Sequence, residues 1–290
     1  TIFTYDAMNR LATRTDPLGQ IETFNYDLNG NLTSMSDRRG QLSQFSYDKL
    51  NRLITEIYAD GAIVQRDYDQ KGSLILVDDS NGGIFTFAYD ALGQLTSETT
   101  PFGQIVYTYN ARGQMLTRQV VGQAQVDYSY DAAGNLLSTV MPQASATMSY
   151  DERNLLTKII RSNGVTTDHS YDSLGRLSSI IHANGLTTID AQTYNYDAIG
   201  NRVGHSTGLA QPFITQPAIS TFDDNNRLLT RNGTTYTYDD NGNRATETDA
   251  NGTKTYNWDA RNRLTNIVTP NQIINLRYDF AGNLVQQTTT

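Results

Sequence analysis

Aromatic and small polar residues alternate in short runs along the chain. In Phe45-Ser46-Tyr47 two rings flank a polar side chain, and the same order occurs in Phe24-Asn25-Tyr26 and, with a small residue between the rings, in Phe87-Ala88-Tyr89. A period of two residues places the rings on one face of a strand and the small residues on the other. Aromatic residues also favour strands. The pattern therefore predicts many short, half-buried β-strands.

A Tyr-Asp pair ends these runs and recurs about every 20 or 21 residues. Fourteen units result, three of which carry the variants Tyr109-Asn110, Phe222-Asp223 and Trp258-Asp259. Three residues after the Asp position every unit has Gly or Asn, the residues that adopt positive φ at least cost. An Asp that begins a turn commonly accepts hydrogen bonds from backbone N–H groups. Each unit is thus predicted to form a tight turn here, which we call the Tyr-Asp turn.

A Leu stands five residues after the Asp position in eleven units and begins the next strand. A second Gly, such as Gly40 or Gly61, marks a turn near the middle of the unit, which we call the mid-unit turn. Two strands and two turns per unit make an antiparallel hairpin, in which the Tyr and the Leu are expected to face each other. The residues that we assign to this repeat framework are Tyr26, Asp27, Gly30, Leu32, Tyr47, Asp48, Leu53, Tyr89, Asp90, Gly93, Leu95, Tyr130, Asp131, Gly134 and Leu136.

A fixed period of this length is typical of repeat arrays, which grow in one dimension. We predict a single array of about fourteen units over residues 1–290, interpreted as a segment of a longer protein because Ile2 and Phe3 already belong to a strand. Residues 197–222 form an irregular, longer unit with a loop. Because binding residues concentrate on loops, the possible binding residues are His205, Pro212, Phe213 and Pro217.

Charge and composition exclude several classes of function. The net charge is −8, from 22 Lys and Arg against 30 Asp and Glu, which argues against nucleic-acid binding because that requires basic clusters. No apolar run is long enough to span a membrane. The chain has no Cys, and its three His are dispersed without metal-ligand spacing. The Asp-rich stretch 239–243 resembles part of a calcium loop but lacks the closing Glu. We therefore predict no catalytic residue, no metal and no cofactor.

The segments Tyr26–Leu32 and Tyr130–Leu136 resemble the YD repeat of the Rhs family, which includes bacterial polymorphic toxins, shell components of insecticidal toxin complexes and animal teneurins. The resemblance extends over essentially the whole chain. It implies an all-β fold, in which tandem antiparallel hairpins form a ribbon that coils into a hollow spiral shell or tube. In toxin members the shell encloses a toxic domain. The self-cleaving Rhs core segment of the family has no counterpart here, so its proteolytic activity is not expected.

The favoured function is a structural wall of a secreted or cell-surface protein, which encloses toxin-type cargo or builds an extracellular fibre. The alternative is a cell-surface adhesion or carbohydrate-binding module, because aromatic side chains also form sugar-stacking platforms. Expected partners are further YD repeats of the same protein or copies of the chain. An enclosed toxin domain or a surface glycan are further candidates, whereas nucleic acid and a membrane span are not expected.

Overall fold

A computed structural model describes residues 1–208 and 218–290. Its internal contacts divide the chain into two compact units: unit 1 is Thr1–Phe87 with Thr215–Thr290, and unit 2 is Ala88–Ile214. Every regular element in the described residues is a β-strand, and strands consecutive in the chain pair in antiparallel orientation. The predicted all-β hairpin fold is confirmed.

Unit 1 contains two stretches of sheet, which we call the N-terminal sheet and the C-terminal sheet. Its N-terminal sheet comprises β1 (Ile2–Tyr5), β2 (Leu11–Thr15), β3 (Ile21–Tyr26), β4 (Leu32–Ser36), β5 (Leu42–Tyr47), β6 (Leu53–Ile57), β7 (Ile63–Tyr68), β8 (Leu74–Asp79) and β9 (Gly83–Tyr89). The last of these contains the boundary between the units.

Unit 2 contains the middle sheet. It comprises β10 (Leu95–Thr100), β11 (Gly103–Tyr109), β12 (Met115–Val120), β13 (Val126–Tyr130), β14 (Leu136–Met141), β15 (Ala144–Tyr150), β16 (Leu156–Arg161), β17 (Val165–Tyr171), β18 (Leu177–Asn184), β19 (Thr187–Tyr196) and β20 (Arg202–Thr207).

The C-terminal sheet belongs to unit 1 again. It comprises β21 (Ser220–Phe222), β22 (Leu228–Arg231), β23 (Thr234–Tyr238), β24 (Arg244–Asp249), β25 (Gly252–Trp258), β26 (Leu264–Val268), β27 (Ile273–Tyr278) and β28 (Leu284–Thr289). That residues 1–290 form one uninterrupted array remains a prediction.

The Tyr-Asp turns have the backbone that the sequence predicts. All fourteen residues at the Gly/Asn position have positive φ, with values of 57–61° for the Asn residues and 78–96° for the Gly residues. The positions are Asn9, Gly30, Asn51, Gly72, Gly93, Gly113, Gly134, Asn154, Gly175, Gly200, Asn226, Gly242, Asn262 and Gly282. Only Gly and Asn reach this region routinely, which explains why no other residue type occupies the site.

A register shift before each Tyr aligns the two strands of the hairpin. In β3–β4, Asn25 pairs with Ser34 while the next residue, Tyr26, pairs with Leu32, so one residue of β4 bulges. The same shift sets Tyr47 opposite Leu53 and Tyr130 opposite Leu136. Directly paired side chains share a face of the sheet, so the predicted Tyr–Leu register is confirmed for these three units.

The mid-unit turns are more variable than the Tyr-Asp turns. In the shortest unit, Asn232 and Gly233 both have positive φ, 49° and 85°, as a type I′ hairpin turn requires. The turn after β8 departs from the expected pattern, because positive φ falls on Gly83 and not on Gly82.

Little apolar surface is fully buried. Among the described residues, the buried hydrophobic side chains are Ala62, in the turn before β7, and Val64, Val77 and Phe85, in strands of the N-terminal sheet. Most residues of the aromatic face are half-buried. Hydrogen bonds within the turns and between paired strands must therefore contribute much of the stability of this fold.

Substitution of Gly134 tests the turn geometry. Gly134 has φ +96°, and a Cβ there would lie 3.2 Å from Nε2 of Gln114. We expect Gly134→Val to lower the free energy of unfolding by about 1–3 kcal/mol, because a β-branched residue is strained at positive φ. Gly134→Asn is the matched control and should cost clearly less, since Asn154 holds the same position at φ 61°. Equal denaturation midpoints for Gly134→Val and the unsubstituted chain would contradict the argument.

Candidate assembly interface in unit 1

The Asp of each Tyr-Asp turn organises the turn through its carboxylate. Oδ1 of Asp48 accepts hydrogen bonds from the backbone N–H groups of Leu50 at 2.8 Å and Arg52 at 3.0 Å. The N–H of Asn51 donates to the carbonyl of Asp48, and the N–H of Asp48 donates to the carbonyl of Arg52. The same pattern surrounds Asp6, Asp90, Asp172 and Asp223. These bonds satisfy the turn's own backbone, which is a structural role for the repeated Asp.

The residue four positions after the Asp joins one unit to the next. Nε of Arg52 donates to Oδ2 of Asp48 at 2.7 Å, NH1 donates to the carbonyl of Asp69 at 3.4 Å, and the guanidinium lies 4.6 Å from the ring centre of Tyr68. Four other Arg residues stack in the same way on the Tyr of the following unit: Arg10, Arg176, Arg227 and Arg263. In other units an Asn, such as Asn31 or Asn135, takes the bond to the Asp carboxylate.

The repeated Tyr joins its unit to the preceding one. The hydroxyl of Tyr47 donates to the carbonyl of Leu32 at 3.0 Å, and the same bond recurs from Tyr68, Tyr109, Tyr150, Tyr171, Tyr196 and Tyr238. In the variant unit, Nε1 of Trp258 donates to the carbonyl of Arg244 at 2.9 Å. Where an Arg lies on the ring, that face is covered and is not available to stack a sugar.

The same contacts shift the acidity of the turn residues. The backbone N–H of Arg52, together with its side chain, lowers the pKa of Asp48. In Asn-containing units the side chain of Asn135 is the first cause of the lowered pKa of Asp131. Burial raises the pKa of Tyr47 and Tyr109. Each perturbation has a partner within the repeat, so none of them identifies a catalytic acid or base.

The two sheets of unit 1 meet along their turns. Mid-unit turns of the N-terminal sheet contact Tyr-Asp turns of the C-terminal sheet, between residues 182 to 223 positions apart in the chain. We call this contact the seam. It brings together residues that are far apart in the chain, and it is our candidate functional site.

Four Asp side chains of the N-terminal sheet accept hydrogen bonds across the seam. Nδ2 of Asn225 donates to Asp16 at 2.8 Å, and Nδ2 of Asn241 donates to Asp37 at 2.6 Å. The backbone N–H of Ala260 donates to Asp60 at 3.3 Å. In the opposite direction, Arg39 donates to the carbonyl of Asp259 at 3.1 Å. Successive mid-unit turns thus accept donors from successive Tyr-Asp turns.

A buried ion pair lies at the deepest point of the seam. The guanidinium of Arg261 donates to both oxygens of Asp79, at 2.7 and 2.8 Å, and these side chains are 9% and 0% exposed. Burial acts to raise the pKa of Asp79, but the bonds from Arg261 outweigh it and hold that pKa below its ordinary value. Arg261 also lies 4.7 Å from the ring centre of Tyr58, whose hydroxyl donates to Glu56.

One aromatic contact extends the seam with apolar surface. Phe280, in the last Tyr-Asp turn, packs edge-on against Phe85 with ring centres 4.9 Å apart and against Phe87 at 6.2 Å. Phe85 belongs to the buried cluster with Val64 and Val77. The seam is therefore anchored in the only fully buried apolar cluster described in unit 1.

Of the four residues predicted for the binding loop, the structure describes only His205. His205 lies within β20 and not in a loop; it pairs with Tyr194, and their rings stack with centres 5.0 Å apart. Pro212, Phe213 and Pro217 lie outside the described residues. Whether this segment binds a partner remains a prediction.

Within residues 1–208 and 218–290, no group of three or more His, Asp or Glu is arranged to hold a metal ion. The same residues include no helix that is long and apolar enough to cross a membrane.

Comparison with known families identifies the repeat. The RHS Repeat family matches residues 26–63, 68–105, 89–125, 150–188, 222–254 and 238–274, well over half of the chain. The chain belongs to the RHS repeat family. No curated protein sequence matches it significantly.

Three solved structures have a similar fold over almost the whole of this chain. The chain aligns with TcdB2-TccC3-Cdc42 at a TM-score of 0.60 and 15% identity, covering 99% of this chain and 22% of that one. TcdB2-TccC3-TEV gives 0.61 and 15%, covering 99% and 19%. A Tc holotoxin pore from Photorhabdus luminescens with a TccC3 mutation gives 0.58 and 17%, covering 99% and 20%. The RHS chain thus spans about a fifth of the length of these solved chains, and at such identities the likeness concerns the fold.

Removal of Arg261 should destabilise the seam strongly. We expect Arg261→Met to lower the free energy of unfolding of unit 1 by about 3–5 kcal/mol, because Asp79 is left buried without its cation. The double variant Arg261→Met with Asp79→Asn should recover much of this loss. Arg153→Met is the matched control, since the pair of Arg153 and Asp151 is partly exposed and such pairs contribute at most about 1 kcal/mol. Similar losses from Arg261→Met and Arg153→Met in denaturant titrations would contradict the assignment.

The seam should also have a defined acid sensitivity. The pKa of Asp79 lies below its ordinary value of 3.8, so its stabilising contribution is complete above that value and is lost as the pH falls through the folded-state pKa. We expect the free energy of unfolding to decline less steeply below pH 3.8 in the double variant than in the unsubstituted chain. If the free energy of unfolding declines equally steeply with decreasing pH in the two proteins, the pair of Asp79 and Arg261 does not contribute.

Proposed function

We propose that this RHS repeat chain is part of the wall of a secreted or cell-surface casing that encloses toxin-type cargo. The observation that carries the proposal is the seam, because it joins two separate stretches of ribbon edge to edge into one continuous surface. A wall needs both strand pairing along the ribbon and sealing between its edges, and unit 1 has both.

The wall itself is proposed to be passive, without catalysis or a cofactor. The repeated Asp is occupied by backbone N–H groups, the repeated Tyr by a Leu carbonyl, and the buried Arg by a buried Asp. Among the described residues, no set of free acids, bases or nucleophiles converges on one point. The contacts of the seam instead support binding between repeats.

The proposed partners follow from the same geometry. Further RHS repeats, or copies of the chain, would provide the same two kinds of turn edge and could join by the same contacts. Where the assembly closes, it would enclose cargo; where it stays open, it would form an extracellular fibre. Secretion and the nature of the cargo are proposed from the family.

The casing proposal can be tested by labelling the two faces of one strand. The chain has no Cys, so a single introduced Cys reports its own position. Ala146 pairs with Arg161, next to Met148 on the aromatic face, whereas Thr147 pairs with Ile160 on the opposite face. We expect Ala146→Cys, in the protein assembled in its own host, to react with a small maleimide but not with one attached to a large polyethylene glycol. Thr147→Cys is the matched control and should react with both.

The ratio of the labelling rates with the large and the small reagent at one Cys corrects for the half-buried position of Ala146. If Ala146→Cys reacts with the large reagent as readily as Thr147→Cys does, the aromatic face is open and the casing proposal is wrong. The adhesion or carbohydrate-binding alternative would then be the better interpretation.

A further inference from the structure

His169 occupies an aromatic ladder position in unit 2. It stands two residues before Tyr171, where most other units have Phe or Tyr. It pairs with Ile180 in the neighbouring strand. Its Nδ1 atom is buried and has no hydrogen-bond partner. A neutral imidazole fits such a site, but a protonated one would place a buried N–H donor where no acceptor is available.

A second histidine is held next to it by a buried hydroxyl. Thr167, 2% exposed, is the one buried residue in the described part of unit 2. Its Oγ1 accepts a hydrogen bond from NH1 of Arg161 at 2.8 Å and lies 2.9 Å from Nδ1 of His182. Because Arg can only donate, all three groups are satisfied when the Thr hydroxyl donates to Nδ1 of His182.

The register places these side chains on one face. Thr167 pairs with Ile159 and with His182, and His169 follows Thr167 by two residues. Arg161, Thr167, His169 and His182 therefore share the aromatic face of β16–β18. We call these four residues the histidine patch.

Other charged groups around the patch act in both directions. Asp190 pairs with His182 from β19, and its oxygens accept hydrogen bonds from the backbone of Ala191 and the side chain of Gln192. Asp168 lies on the opposite face and is bound to Lys158 at 2.7 Å. Burial lowers the pKa of His169, His182 lowers it further, and Asp168 opposes them. Protonation of His169, whose Nδ1 has no acceptor, is consequently disfavoured.

We propose that the histidine patch makes β16–β18 a proton-triggered weak point of the wall, with His169 as the titrating residue. Protonation would place a buried N–H donor without an acceptor at Nδ1 of His169, and local opening relieves this. Histidine changes charge between about pH 5 and 8, so the response falls in the mildly acidic range. This is well above the pH at which the contribution of Asp79 to the seam is lost. The proposal does not depend on whether the wall encloses cargo.

The sign of the effect follows from linkage. A His with a folded-state pKa below its unfolded value binds more protons when it is unfolded. The stability of β16–β18 should therefore be complete above the ordinary His value of 6.5 and should fall as the pH decreases below it. In the window between the two pKa values, the local opening constant should rise by up to about tenfold per pH unit.

Hydrogen exchange on the full chain measures this opening directly. Amides of β16–β18 should lose protection as the pH falls below the ordinary His value of 6.5, after correction for the intrinsic pH dependence of exchange. His169→Phe restores the ring found in other units and should abolish the response. His205→Gln is the matched control, because His205 stacks on Tyr194 outside the patch and should leave the response intact.

A direct titration keeps the test independent of the variants. The chain has three His, so their imidazole NMR signals can be resolved and assigned in the unsubstituted protein. We expect His169 to titrate below the ordinary His value. A His169 that titrates at or above it, or a His169→Phe variant that still loses protection with acid, overturns the proposal.

Discussion

The fold depends on one side-chain oxygen in each repeat unit, which belongs to an Asp carboxylate in thirteen units and to the amide of Asn110 in the other. At the Tyr-Asp turn the chain reverses within a few residues, and the Asp accepts the N–H groups that the reversal leaves without strand partners, as Asp48 does for Leu50 and Arg52. The left-handed residue beside it, Asn51 in this unit, aims those groups at the carboxylate. A buried or half-buried polar backbone group without a partner is costly, so the turn requires both the Asp carboxylate and the residue with positive φ.

Coupling between units follows from the same turn. The Arg or Asn that binds the Asp carboxylate reaches toward the next turn, and the Tyr hydroxyl reaches back to the preceding Leu carbonyl. Each unit is thereby tied mainly to its two neighbours, which is the nearest-neighbour energetics expected of a repeat protein. With so few buried apolar side chains, the seam matters because it adds contacts between units that are distant in the chain.

The local structure was predictable from the sequence, and the long-range structure was not. Gly or Asn three residues after the Asp indicates positive φ, and the alternation of aromatic residues indicates which side chains share a strand face. The turns and the register therefore follow from the sequence. The role of the residue before the Leu could also have been found, since Arg10, Arg52 and Asn31 recur there in register with the Asp. The seam joins Asp79 to Arg261, 182 residues apart, and no local pattern encodes how the ribbon returns to itself. His205 was assigned to a loop because its unit is long, but strand pairing with Tyr194 determined its position.

The side chains of the seam must specify its register, because the backbones of the Tyr-Asp turns are nearly identical. Two residues after the Asp, the turns of the C-terminal sheet have Asn225, Asn241 and Arg261, whereas the corresponding Leu50 and Leu92 of other turns are exposed. A slip by one unit would bring Asn241 or Ala281 to Asp79 and leave a fully buried carboxylate without a cation. Such an uncompensated charge costs several kcal/mol, whereas a well-paired one is close to neutral. The buried pair therefore contributes less to net stability than to the exclusion of wrong alignments, which an apolar seam of similar turns would tolerate.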